Sequence, residues 1–270
     1  MKSITSRDNP LYKEWLALAT DRRARRHSGR TLLDGPHLLQ AASEAGVTIQ
    51  RLIFSESAAV GPLAAWCERL PAALACVLPN ALFNALTPVE TPTGVIGVID
   101  MGAVFNIGED SNSPRAVPAD YVAIVLLENV QDPGNLGAIL RVVAAAGFAA
   151  VYLSSGCCDV WSPKCLRGGQ GAHFQVALHE NADLLAVVRD FAGPVYAASL
   201  AAHEALFDLD LRGAVGFAFG NEGAGLSAAL CAAATPFIIP MQGKVESLNV
   251  ATAAAVCLFE RLRQGRGRQG

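Results

Sequence analysis

Three polar, glycine-rich stretches in the second half of the chain hold the side chains best suited to chemistry. They are Glu128–Arg141 (ENVQDPGNLGAILR), Gly220–Ser227 (GNEGAGLS) and Pro240–Asn249 (PMQGKVESLN). Arg141 stands among Leu136, Ile139, Leu140, Val142 and Val143. A guanidinium on so apolar a helix must reach solvent, a carboxylate or a bound anion. Glu222 poses the same problem between FAFG and GAGL. Taken singly, the other residues have ordinary explanations. Asn135 and Ser247 could cap helices, Pro133 and Gly134 could form a turn, and Gly223 and Gly225 could supply positive φ. Together they put one Arg, one Glu and several Asn and Ser at the same edge of one sheet. Ligands of an open parallel sheet bind at that edge.

One competing reading comes from the second stretch alone. Gly223–Ala228 fits the Gly-x-Gly-x-x-Gly/Ala form of a dinucleotide fingerprint, after a strand and before a helix. Glu246 follows about twenty residues on, where a ribose-binding acid is expected. That makes a nicotinamide-dependent oxidoreductase the alternative class. Against it, the next strand ends at Pro240, which puts Glu246 in a later loop, and the match comes near the end of the domain. No Gly-x-Ser-x-Gly elbow, Gly-x-x-x-x-Gly-Lys loop or His-Glu-x-x-His pair occurs. The seven cysteines include no Cys-x-x-Cys pair, and no metal site is expected.

The elements that must position these loops follow from the hydrophobic pattern. Strands are expected at Tyr121–Leu127, Val151–Ser154, Val176–Leu178, Val195–Ser199, Gly216–Phe219 and Phe237–Ile239. Helices are expected near 135–146, 182–191, 226–233 and 248–263. Apolar strands alternating with helices imply an α/β fold, a parallel sheet covered on both faces. The first segment predicts one helix over Pro10–Arg26, then a helix at His37–Glu44, a strand at Arg51–Ser55, a helix at Pro62–Arg69, and strands at Ala75–Leu78 and Gly94–Ile99. Residues 106–119 are rich in Pro, Ser, Asn and Gly and mark a linker. They separate a smaller α/β domain (1–105) from the parallel-sheet domain (120–270).

With 270 residues, 52% of them hydrophobic, the chain is too apolar to be mostly disordered. Its net charge of −3 conceals basic ends. Residues 1–30 carry eight Lys/Arg against three acids, and residues 261–270 carry four Arg and no acid. Such ends suit a polyanion such as RNA, or are solvated termini. No uncharged apolar run reaches the ~20 residues that cross a bilayer, and no membrane partner is expected. The opening MKSITSRDNP has no apolar stretch, and no secretory signal is expected. An odd number of scattered cysteines predicts reduced thiols in the cytoplasm.

In order and spacing, the three stretches resemble the three signature motifs of the SpoU (TrmH-type) branch of the SPOUT RNA methyltransferases. The first resembles Asn-x-Gly-x-x-x-Arg at Asn135, Gly137 and Arg141. The second resembles Gly-x-Glu-Gly-x-Gly at Gly220, Glu222, Gly223 and Gly225. The third resembles Ile-Pro-Met…Ser-Leu-Asn-Val-Ala at Ile239, Pro240, Met241, Ser247, Leu248, Asn249, Val250 and Ala251. The first half resembles, more weakly, the family's substrate-binding domain at Ile4-Thr5-Ser6…Asn9-Pro10, Asp34-Gly35 and Thr91-Pro92…Gly94. Asp34 and Gly169 depart from the family's usual Glu and Ser.

The resemblance implies a C-terminal domain with a deep trefoil knot, which general topology rules would have argued against. It further implies a homodimer, S-adenosylmethionine as cofactor, and methylation of a ribose 2′-hydroxyl in rRNA or tRNA. An RNA-binding homologue with a decayed site is the other alternative. The implied catalytic residues are Arg141, Asn135, Glu222, Ser247 and Asn249. Arg141 would act as base or as the group orienting hydroxyl and phosphate. The implied cofactor contacts are Gly220, Ile239, Met241, Leu248 and Asn249. Arg22, Arg23, Arg25 and Arg26 are the expected RNA contacts.

Overall fold

The structure, a computed structural model, describes residues 2–61, 74–104 and 122–266. The expected helix at 62–69 and the 106–119 linker lie outside the described residues. The chain forms two compact units. One is Met1–Phe105 with Asp159–Phe174; the other is Asn106–Cys158 with Gln175–Gly270. The 159–174 segment, assigned to the parallel-sheet domain by its place in the sequence, packs with the N-terminal unit.

The N-terminal unit is built on a five-stranded sheet of order β1-β4-β3-β5-β2, comprising β1 (Lys2–Ser3), β2 (Arg30–Asp34), β3 (Ile49–Ser55), β4 (Ala75–Leu78) and β5 (Val95–Asp100). β5 runs antiparallel to β2 and β3, while β4 runs parallel to β1 and β3. The expected Pro10–Arg26 helix is two helices, Pro10–Thr20 and Arg22–Ser28. The break falls at Asp21, whose extended backbone ends the first helix and whose carboxylate accepts from Arg23 N at 2.7 Å to start the second. Tyr12, Trp15 and Leu18 bury the first helix's apolar face against Leu32, Ile53, Ile96 and Val98 of the sheet.

The second unit is built on six parallel strands: β6 (Ala123–Leu127), β7 (Ala150–Leu153), β8 (Ala177–His179), β9 (Val195–Ala198), β10 (Val215–Phe219) and β11 (Thr235–Phe237). Their order is β11-β9-β10-β6-β7-β8, and every pairing is parallel. β6, β7, β9 and β10 are apolar along their length because helices cover both faces. Leu184, Val187 and Leu230 cover one face. The Pro133–Ala145 and Val250–Arg266 helices pack on each other and bury Leu136, Ile139, Leu140, Val143, Ala254, Cys257 and Leu258. From β6 the chain steps outward through β7 to β8; β9, β10 and β11 lie on the other side. The loops after β6 and β10 therefore flank the switch point, where α/β sheets bind ligands.

Candidate active site

Asp132, not Asn135, caps the Pro133–Ala145 helix, its carboxylate accepting from the backbone amides of Gly134 and Asn135. Asn135 is thereby released for other work. Its side-chain nitrogen donates to Glu222 Oε1 at 3.0 Å, and its oxygen accepts from Asn249 Nδ2 at 2.9 Å. Asn249, not Ser247, caps the last helix, its oxygen accepting from Ala251 N at 2.9 Å and Thr252 N at 3.3 Å. One hydrogen-bonded relay therefore joins all three loops. Its polarity is fixed at both ends, by backbone donors at Asn249 and by a carboxylate, an acceptor only, at Glu222.

Glu222 also accepts from Gln131 N and Asp132 N, both at 3.1 Å. Partial burial pushes its carboxyl upward. The bonds from Asn135 and from the Gln131 and Asp132 amides outweigh that and hold it below the ordinary glutamate range. The loop carrying Glu222 closes on itself: Asn221 and Gly225 exchange backbone bonds at 3.0 and 2.9 Å. A Cβ on Gly220 would meet the backbone carbon and oxygen of Gly225 at 2.2 Å, so only glycine fits. Gly225 takes φ +70, whereas Gly223 does not need a positive φ. Asn221 binds the turn from within, accepting from Gly223 N and Ala224 N at 2.9 Å, and donates to Asn129 O at 2.9 Å. Glu128 accepts from Ser227 N at 2.7 Å at the far end of the same loop.

These loops enclose a cavity of about 430 Å³, within the usual size range of small-molecule sites. Phe237, Ile238, Ile239, Leu248 and Ala253 give it an apolar wall, and Asn135, Glu222, Ser247 and Asn249 a polar one. Gly220, Ile239, Met241, Leu248 and Asn249, the expected cofactor contacts, all line it. The cavity thus pairs an apolar wall with a polar edge, the usual make-up of a small-molecule site.

Arg141 is not among the lining residues. It lies exposed on its helix, with no hydrogen bond or ion pair to another described residue. The expected RNA contacts also divide. Arg23 and Arg26 are exposed and Arg22 is half-buried. Arg25 is a correction: it is 4% exposed, its Nε and Nη2 donate to Asp159 Oδ2 at 2.7 and 2.6 Å, and Nη1 donates to Leu18 O. Its charge is neutralised inside the N-terminal unit and is not presented to a phosphate.

Sequence reasoning missed Ser199 and Leu200, which line the cavity after β9. The strand-end rule that singled out the other loops applies there too. It also missed Asn221 and Glu128, whose side chains brace the second loop. The dinucleotide reading fails on the same turn. Its glycines serve a self-closed turn braced from within by Asn221, and Glu246 is exposed in the loop beyond β11. No group of three or more metal-binding side chains occurs among the described residues.

Comparison with known proteins agrees with this geometry. Residues 122–259 match the SpoU rRNA Methylase family, and residues 9–97 match an MRM3-like substrate binding domain. The chain is 31% identical over 275 residues to an uncharacterized tRNA/rRNA methyltransferase of Synechocystis, covering 97% of this chain and 94% of the relative. It is 30% identical to the 23S rRNA (guanosine(2553)-2'-O)-methyltransferase RlmP of Bacillus subtilis, covering 96% and 98%. Among solved structures, an AdoMet-bound rRNA methyltransferase from Sinorhizobium meliloti superposes with a TM-score of 0.81 at 27% identity, over 97% of each chain. With its three loops joined around one cavity and its sequence matched along both units, the chain belongs to the SpoU rRNA methylase family.

Proposed function

We propose that this chain methylates a ribose 2′-hydroxyl of ribosomal RNA, using S-adenosylmethionine. The observation that carries the reading is the relay from Asn249 through Asn135 to Glu222 beside the cavity. S-adenosylmethionine, when bound, supplies a methyl already activated on a sulfonium. What remains for the protein is alignment and help with removing the hydroxyl proton. Backbone at Gly220, Ile239, Met241 and Leu248 holds the cofactor; Ser247 and Asn249 orient the ribose beside it. Glu222 keeps the first and second loops in register.

Arg141 offers a fork of N–H donors matched to phosphate oxygens. Its role is to hold the phosphate next to the reacting ribose and so orient the hydroxyl. A homodimer completes the site: Arg141 and the 47%-exposed Phe259 lie on the two packed helices of this unit, which a second copy would cover. The trefoil threading implied by the family resemblance and a cytoplasmic location belong to the same reading. Arg23 and Arg26 supply phosphate contacts from the N-terminal unit.

The test is mass-spectrometric mapping of 2′-O-methyl marks on ribosomal and transfer RNA from cells with and without the gene. Loss of a ribose mark from ribosomal RNA is expected. An unchanged ribose map, or loss of a base methyl instead, contradicts the reading.

A further inference from the structure

Asn129, two residues past the end of β6, takes a left-handed backbone with φ 56. Most side chains resist that region; asparagine tolerates it, because its short amide can bond locally. The loop after β7 supplies the bonds. Ser154 Oγ accepts from Asn129 N at 3.0 Å and donates to Asn129 Oδ1 at 3.2 Å. Gly156 leaves room for the amide, since a Cβ there would meet Asn129 Oδ1 at 1.9 Å and Cγ at 2.8 Å. The next residue, Val130, is fully buried, and its carbonyl accepts from Cys158 N at 2.8 Å. Asn129 is therefore pinned on both sides by the loop after β7.

The left-handed turn decides where the Asn129 carbonyl points. It accepts from Asn221 Nδ2 at 2.9 Å and from Gln131 Nε2 at 3.3 Å, which uses both lone pairs. With its nitrogen donating there, Asn221 turns its oxygen to the amides of Gly223 and Ala224. Asn221, Glu222, Gly223 and Gly225 line the cavity, whereas Asn129 does not. Support thus runs from Ser154 through Asn129 to Asn221 and ends on the cavity wall, all within one unit. Ser154 and Gly156 lie outside the three polar loops.

We propose that Asn129 is a positioning residue for the cofactor cavity: its left-handed backbone aims the carbonyl that fixes Asn221 and, through it, the Glu222–Gly225 wall. This rests on S-adenosylmethionine occupying that cavity, and it adds the loop after β7 to the parts that set cofactor affinity. Glu222 keeps its own hold on the first loop, through Asn135 and the Gln131 and Asp132 amides. Losing the Asn129 bond should therefore weaken cofactor binding and leave turnover at saturating cofactor nearly intact.

Calorimetric titration of S-adenosylmethionine into the full chain tests this with two variants that differ by one methyl. Asn129→Ala removes the amide and disfavours the left-handed turn; its Kd should rise about tenfold. Asn129→Gly removes more of the side chain yet enters that region freely, and should stay within about twofold of wild type. A side chain that served only as packing would give the reverse order. In methyl transfer, Asn129→Ala should raise the cofactor KM while kcat stays within about twofold. Asn221→Asp keeps the acceptor for Gly223 and Ala224 but has no donor for the Asn129 carbonyl, and should also cost about tenfold. Combined with Asn129→Ala, it should bind no worse than the weaker of the two single variants, as expected of two changes to one bond. If the wild type binds S-adenosylmethionine and the Ala and Gly variants bind alike, or the double variant shows additive losses, Asn129 does not position the wall and the cofactor reading stands. If the wild type binds none, the cofactor reading fails and takes this role of Asn129 with it.

Discussion

Asn249 donates to the side-chain oxygen of Asn135 at 2.9 Å across 114 residues of sequence. That single bond ties the loop before the last helix to the loop after β6. Because Asn135 spends its nitrogen on Glu222 and its oxygen on Asn249, a carboxylate could replace only the accepting end of its amide.

Asn135→Asp should therefore do more harm than Asn135→Ala. The aspartate lacks a donor for Glu222 and sets charge against charge; alanine only removes the bridge. Loss of the bridge should weaken cofactor binding about tenfold, the effect of roughly 1–2 kcal/mol. The Glu222 carboxyl reports the same change. Its depressed pKa means that its contribution to the fold is present above the ordinary glutamate value of 4.5 and is lost as pH falls through the lower folded value. In either variant that loss should move to higher pH, more so for the aspartate. Carboxyl NMR titration measures it, and an unmoved titration would remove Asn135 from the relay.

Gly220→Ala should damage the second loop even though the added group is a single methyl. Its Cβ would sit 2.2 Å from the Gly225 backbone, which has no rotamer to yield. Overpacking of this kind costs about 1–3 kcal/mol, a fall of several degrees in Tm for a chain of this length. Calorimetry should show cofactor binding lost along with it. Gly223→Ala, where the nearest atom is 3.6 Å away and no positive φ is needed, should be mild by both measures.

Arg141→Ala should leave cofactor affinity within about twofold while turnover falls by about a hundredfold or more, the scale of losing a transition-state positioning group. The reason is location: the cavity is complete without Arg141. Cofactor loss with RNA affinity retained would instead make Arg141 a wall of the pocket.

Asp159→Ala should unfold or loosen the N-terminal unit, because it strands the buried Arg25 charge. Breaking such a pair from one side costs about 3–5 kcal/mol. Arg25→Met, which removes the cation but keeps an apolar stem of similar length, should also destabilise but leave the RNA salt slope as it was. A slope change in Arg25→Met at full folding would return Arg25 to the phosphate contacts.

The parallel sheet was legible because its strands are buried on both faces and read as continuous apolar runs; β6, β9 and β10 fall within two residues of expectation. The three loops were legible because polar, glycine-rich runs there follow apolar strands directly and carry an Arg, a Glu and several Asn between them. What escaped notice depends on three-dimensional competition between local groups. Asn135 and Ser247 both carry capping chemistry, but Asp132 and Asn249 take the caps, which frees Asn135 to bridge loops. The excursion of 159–174 to the other unit leaves no periodic signal, since Asp159, Trp161 and Cys165 read as an ordinary turn and short helix. Arg25 is indistinguishable in sequence from its basic neighbours. Only the partner 134 residues away turns it inward.

The most direct measurement is methyl transfer itself. Purified protein, S-adenosylmethionine labelled on its methyl group and protein-free ribosomal RNA are incubated, and the RNA is then digested to nucleosides. The account predicts label in one 2′-O-methyl nucleoside, with the adjoining phosphodiester resistant to alkali because its ribose hydroxyl is blocked. Label on a base, or RNA that stays unlabelled while the protein binds the cofactor, would contradict it.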